Sequence, residues 1–114
     1  MAEKFGERIR RLRTEQGLGL RSFAKTIGIS PTYLSRIETN EEKSPPAEKV
    51  IRAIAKELGD DFDELMGLAG RVASDVEKVI TKDPGMPAFL RTAKEKNLSS
   101  EELMKMISKK KGGR

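Results

Sequence analysis

The stretch LRSFAKTIGISPTYLSRIE, residues 20–38, decides how this chain is read. Phe23, Ala24 and Ile27 share one face of a short helix, and Gly28 stops that helix where the chain turns through positive φ. Ser30-Pro31 then opens another helix. The hydroxyl caps a free amide, and proline is tolerated at the first helical position because its missing N–H has no partner there. Leu34 and Ile37 point inward from this second helix. Ala24 is small enough to let the two helices cross closely, while Phe23, Ile27, Ile29, Leu34 and Ile37 pin one against the other. Each residue is common alone; together they specify two short helices crossing at a tight turn.

Working outward, Phe5, Ile9 and Leu12 at i, i+4, i+7 predict an earlier amphipathic helix that ends at Gly17. On the other side, Thr39 to Pro46 is polar, ends in two prolines and reads as a loop. A fourth helix follows with Val50, Ile51, Ile54, Ala55 and Leu58 inward, stopping near Gly59, and a fifth carries Phe62, Leu65 and Met66. Residues 1–69 therefore form a five-helix domain. Beyond it, Val72, Val76, Val79 and Ile80 share a helical face, and Asp83-Pro84 ends that helix and caps the next. Met86, Phe89, Leu90 and Ala93 repeat at helical spacing. Ser99 with Glu102 is a capping box opening a last helix through Leu103, Met104 and Ile107. Residues 70–108 are expected to be a helical C-terminal region of about three helices, and 109–114 a disordered basic tail. No segment alternates with a period of two, so the fold class is all-α.

Composition narrows the chemistry. Charged residues make up 36% and aromatic residues 4%, so the core must be aliphatic. With no Cys and no His, disulfides, thiolate nucleophiles, imidazole bases and most zinc sites are excluded, and neither a metal nor a cofactor is expected. No apolar run approaches the roughly 20 residues of a membrane span, and residues 1–10 lack a signal-peptide core. A cytoplasmic protein without membrane association is expected. The net charge of +5 is unevenly placed. Residues 1–46 carry nine Lys/Arg to six Asp/Glu, residues 47–83 six to nine, and residues 84–114 eight to three. Basic ends suit a polyanionic partner, whose displaced counterions drive association.

The decisive stretch is a helix-turn-helix, and the chain around it resembles the family of the lambda repressor and Cro. The resemblance spans roughly residues 4–68. It is carried by Ile9-Arg10-Arg11-Leu12-Arg13, Gly17-Leu18, Phe23-Ala24, Gly28-Ile29-Ser30 and Tyr33-Leu34-Ser35-Arg36-Ile37-Glu38. It implies a five-helix domain that lays its third helix in the major groove of double-stranded DNA. It also implies an ion pair between Arg13 and Glu38 joining the first and third helices. One departure is Gly19-Leu20, where many members open the second helix with Thr-Gln; the phosphate contact of that Gln is lost, and Arg21 is placed to replace it.

With Leu34 and Ile37 inward, Thr32, Ser35 and Arg36 face outward, and Tyr33 lies toward the edge of the same surface. These four are the candidate base contacts. Arg36 suits guanine, where a bidentate contact is worth roughly 1–3 kcal/mol of discrimination, or is an ordinary solvated charge. Tyr33 either meets a base or packs on the core. Arg21, Ser30, Asn40, Lys43 and Ser44 are candidate phosphate contacts, which fix register without reading sequence. Glu41 and Glu42, in the same loop, would repel DNA.

A single motif covers too little DNA to be selective, so a homodimer on half-sites about 34 Å apart is expected. Val76, Val79, Ile80, Met86, Phe89, Leu90, Leu103, Met104 and Ile107 would supply its interface, unless they pack on their own domain. A repressor is the reading that the resemblance favours. The alternative is an antitoxin-like or adaptor protein whose C-terminal helices bind a second protein. Catalysis is not expected: Asp60, Asp61, Asp63 and Glu64 form the only acidic cluster suited to it, and they sit where a helix N-terminus attracts negative charge.

Overall fold

A computed structural model of the chain describes residues 3–112, with side-chain surroundings through Ser108. The described residues hold α1 (Phe5–Glu15), α2 (Leu20–Ile27), α3 (Pro31–Glu38), α4 (Glu48–Leu58), α5 (Phe62–Leu68), α6 (Ser74–Lys82), α7 (Met86–Glu95) and α8 (Ser100–Gly112), and no strand. The all-α architecture of five helices followed by three is thus observed. The chain divides into two compact units between Ala73 and Ser74, four residues beyond the boundary expected from the sequence.

In the first unit α1 packs on α3 and α4, α2 packs on α3 and α4, and α4 packs on α5. Ile9, Leu34, Ile51, Ile54 and Leu65 are fully buried at the centre, with Phe23, Ala24, Ile37 and Met66 around them. Each such aliphatic side chain contributes roughly 1.5–3 kcal/mol by leaving water, which is how five short helices without a long one remain folded. The tightest approach is between α1 and the end of α3. A Cβ added at Gly6 would lie 2.1 Å from the Ile37 carbonyl oxygen, so only glycine lets these backbones meet.

Polar contacts fix the arrangement. Arg13 donates from Nε and Nη2 to both carboxylate oxygens of Glu38 at 2.7 and 2.9 Å, and from Nη1 to the Leu18 carbonyl at 2.7 Å. The pair is buried, and its hydrogen bond to Glu38 raises the Arg13 pKa against the opposing effect of burial. Arg8 makes a second bidentate pair, with Asp60 at 2.6 and 2.9 Å, tying α1 to the start of α5. Burial pushes the Asp60 carboxyl up, but hydrogen bonds from Arg8 and the Asp61 amide outweigh it and hold the group below its ordinary range.

The second unit is built differently. α6 packs on α7, yet of its described residues only Ala93 is buried. Its helix starts follow local chemistry: the Ser99 amide donates to Glu102 and the Glu102 amide to Ser99 Oγ, the reciprocal box expected from the sequence. Three expectations need correction. Val72 precedes α6 and sits in the connection, because the valine spacing continues past the point where the helix begins at Ser74. Asp83 accepts from the Gly85 amide and closes the turn, so Gly85 rather than Asp83 is the N-cap of α7. Finally, α8 runs on through Lys109–Gly112, the larger part of the supposed disordered tail, since lysine favours helix and nothing breaks it before Gly112. Residues 113–114 lie outside the described residues.

Candidate nucleic-acid interface

The candidate recognition helix, α3, is set by its two ends. Gly28 adopts φ +83, and the amides of Gly28 and Ile29 return to the Lys25 and Ala24 carbonyls at 3.2 and 3.0 Å, which closes α2 and turns the chain. Two residues later Ser30 Oγ accepts from the Tyr33 amide at 3.1 Å, and Pro31 begins α3. Burial of Leu34 and Ile37 against the core then fixes the rotation of α3 about its own axis. The buried Arg13–Glu38 pair anchors its C-terminal end to α1.

That rotation leaves Thr32 and Arg36 exposed, with Pro31, Tyr33 and Ser35 half-buried. Arg21, Thr32, Ser35 and Arg36 come together along one open groove of about 440 Å³, completed by Leu20, Pro31 and Glu41. The groove is lined by the start of α2, by one outward face of α3 from Pro31 to Arg36, and by Glu41 of the following loop. Tyr33 is not part of it and packs against the edge of the core.

The other proposed contacts fall into two sets. Ser30 uses one lone pair as the α3 cap and keeps its hydroxyl proton free to donate to a phosphate. Asn40, Lys43 and Ser44 do not line the groove; they line a separate hollow of about 160 Å³ with Phe5, Ile37, Glu42, Pro45, Pro46, Leu68 and Ala69. Asn40 takes φ +61 there and reverses the chain after α3. The amides of Asn40 and Glu41 donate to the Ile37 and Arg36 carbonyls at 3.1 and 2.8 Å, so the reversal is hydrogen-bonded to the end of the helix.

Glu41 and Glu42, expected as ordinary polar loop residues that would repel DNA, also hydrogen-bond within the chain: Arg36 Nε donates to Glu42 Oε2, and Thr39 Oγ1 donates to Glu41 Oε1 at 2.7 Å. Gly6 was also missed. Neither has a local signature, because both depend on chain segments meeting in space. As for the acidic cluster, Asp60 is engaged by Arg8, and Asp61 accepts from the Glu64 amide at 2.9 Å as the α5 N-cap.

In the second unit, Val76, Val79, Phe89, Leu90, Met104 and Ile107 are exposed, between 42% and 61% each, and Ile80, Met86 and Leu103 are half-buried. Met106, at 55%, joins this surface. Phe89 from α7 and Leu103, Met106 and Ile107 from α8 line an apolar hollow of about 350 Å³.

A family model described as a helix-turn-helix domain matches residues 6–71. A propionyl-CoA carboxylase regulator of Cereibacter sphaeroides is 34% identical over 83 residues, covering 71% of this chain and 16% of that protein. The HTH-type transcriptional repressor RghR of Bacillus subtilis is 36% identical over 70 residues, covering 61% of this chain and 51% of RghR. The chain thus spans about half the length of one relative and far less of the other. Among solved structures, SinR in complex with DNA superposes with a TM-score of 0.50 at 29% identity, over 54% of this chain and 97% of that one. The P22 c2 repressor in complex with a synthetic operator gives 0.51 at 28% identity, over 56% and 94%. A SinR–SinI protein complex gives 0.51 over 94% of both chains at 23% identity, a likeness of fold alone.

Proposed function

The chain belongs to the lambda-repressor-like helix-turn-helix family, and from that premise we propose that it is a transcriptional repressor that binds a palindromic operator as a homodimer. The observation that carries this reading is the groove along α2 and α3. There Arg36 and Thr32 are exposed, Ser35 is half-exposed, and Arg21 lies beside them, on a helix whose axial rotation is fixed from behind by Leu34, Ile37 and Glu38. In the major groove Arg36 takes guanine, and Thr32 and Ser35 take neighbouring base edges; Tyr33 contributes from the rim if at all. Arg21 and the Ser30 hydroxyl contact phosphates beside α3, and Asn40, Lys43 and Ser44 contact them further along, from the loop.

The partner copy is held through the second unit. Nine residues, Val76, Val79, Ile80, Met86, Phe89, Leu90, Leu103, Met104 and Ile107, form an apolar surface that a single copy leaves largely in water. The same hollow between α7 and α8 favours a second reading, in which these helices hold a different protein and the first unit regulates transcription. Sedimentation of the purified chain separates the two, since a lone monomer at micromolar concentration sinks the homodimer.

The direct test is selection of bound duplexes from a random pool at physiological salt, comparing the wild type with Arg36→Ala. The expected consensus is palindromic, with a guanine preference that relaxes by about 1–3 kcal/mol in the variant. Equal, salt-sensitive retention of every sequence by both proteins would leave only a generic basic surface.

A further inference from the structure

We propose that Glu42 is a positioning residue for base recognition: it holds the Arg36 guanidinium by Nε and so presents the two terminal nitrogens to guanine. This inference rests on the base-reading role of Arg36 proposed above. An arginine side chain has five N–H donors in a planar fork, and its terminal pair matches the O6 and N7 acceptors of guanine. An exposed arginine samples many rotamers, and ordering it on DNA is an entropic loss. Here Nε already donates to Glu42 Oε2 before any DNA is present, while the Arg36 side chain remains 54% exposed. The terminal nitrogens have no partner among the described hydrogen bonds of Arg36, so the fork is both oriented and open.

The carboxylate is itself held in place. Glu42 is 28% exposed and follows the Asn40 reversal, whose amides are bonded to the end of α3. Downstream the loop is fixed by buried Pro46 and by Arg71, which donates to the Pro45 carbonyl at 3.0 Å. Arg36 lines the reading groove, whereas Glu42 lines the separate hollow and not the groove, so the carboxylate grips the guanidinium without itself lining the reading surface. A negative charge near DNA also opposes binding to phosphate in general. Glu42 therefore weakens non-specific binding while sharpening the guanine contact.

Three substitutions separate these effects, each measured on the operator, on the operator with that guanine replaced, and on unrelated DNA. Glu42→Ala is expected to lower discrimination for guanine about three- to tenfold, the scale of ordering one long side chain, and to raise binding to unrelated DNA. Glu42→Asp keeps the charge but falls short of Arg36; discrimination drops while unrelated DNA is bound as before. Glu42→Gln keeps an acceptor and loses the charge, so guanine preference survives and unrelated binding rises. In an Arg36→Ala background, Glu42→Ala leaves base preference unchanged. If Arg36→Ala alone fails to alter base preference, the base-reading role of Arg36 is what falls. If Arg36→Ala relaxes preference but Glu42→Ala raises binding to both duplexes equally, Glu42 is only a surface charge and the proposal is wrong. A larger gain on the operator than on unrelated DNA would make Glu42 a competitor of the base, which also overturns it.

Discussion

The two units of this chain are made of the same kind of element and differ in what their helices lean on. In residues 5–68 every helix has a buried stripe, and the stripes close on one another around Ile9, Leu34, Ile51, Ile54 and Leu65. In residues 74–108, α6 and α7 have comparable stripes and α8 a weaker one, but only Ala93 is buried. Amphipathic periodicity states that a face wants to leave water; it does not state which surface will cover it. The first unit has satisfied that demand internally, and the second leaves it largely unmet among its described residues.

The largest expected effect breaks the first unit. Glu38→Ala leaves the buried Arg13 guanidinium without its counter-charge, and urea denaturation should show a loss of about 3–5 kcal/mol. A loss under 1 kcal/mol would mean that water reaches Arg13 and that the pair does not hold α1 to α3. Gly6→Ala comes next. Its new methyl group must push the Ile37 carbonyl aside, for a destabilisation of about 3 kcal/mol in the same assay.

A smaller effect is pH-dependent. Asp60 is held below its ordinary pKa in the folded chain, so the unfolded chain binds its proton more readily. Its stabilising contribution is complete above the unfolded value of about 3.9 and is lost as pH falls through the lower folded value. Asp60→Asn should therefore cost about 1–2 kcal/mol at neutral pH, with wild type and variant converging in acid. Parallel curves down to pH 2 would remove Asp60 from the account. The smallest effect belongs to the second unit: at dilutions where the chain is monomeric, Val79→Ser should change stability by about 0.5 kcal/mol or less. A drop of several kcal/mol there would show that α6 is core after all, and the contrast between the units would collapse.

Much of the fold was legible because its punctuation is local. Gly28 and Gly59 stop helices by adopting positive φ, Ser30-Pro31 and Ser99 with Glu102 start them, and Leu34 with Ile37 give the rotation of α3. The groove residues Thr32, Ser35 and Arg36 follow from that rotation, and Arg21 from its place in the first turn of α2. Tyr33 was ambiguous because it sits at the border between the inward and outward faces, and it packs on the core edge. What stayed hidden depends on segments distant in sequence or on chain reversal: Gly6 against Ile37, Arg8 with Asp60, and Glu42 reaching Arg36 only because Asn40 turns the loop back. Val72 and Lys109–Gly112 show a different limit, since hydrophobic spacing and charge runs do not mark where a helix begins or ends.

One further property follows from the place of Tyr33. The chain has no tryptophan and a single tyrosine, and that residue sits on α3, partly covered by the core and beside the reading surface. Its ultraviolet emission is therefore a native optical label on α3, the helix proposed to read DNA. Titration with urea would change it as the core opens, and titration with a duplex would quench it as bases approach. The second unit, whose one aromatic residue is Phe89 in α7, would be nearly dark in the same spectrum, so folding and recognition could be followed without attaching any dye.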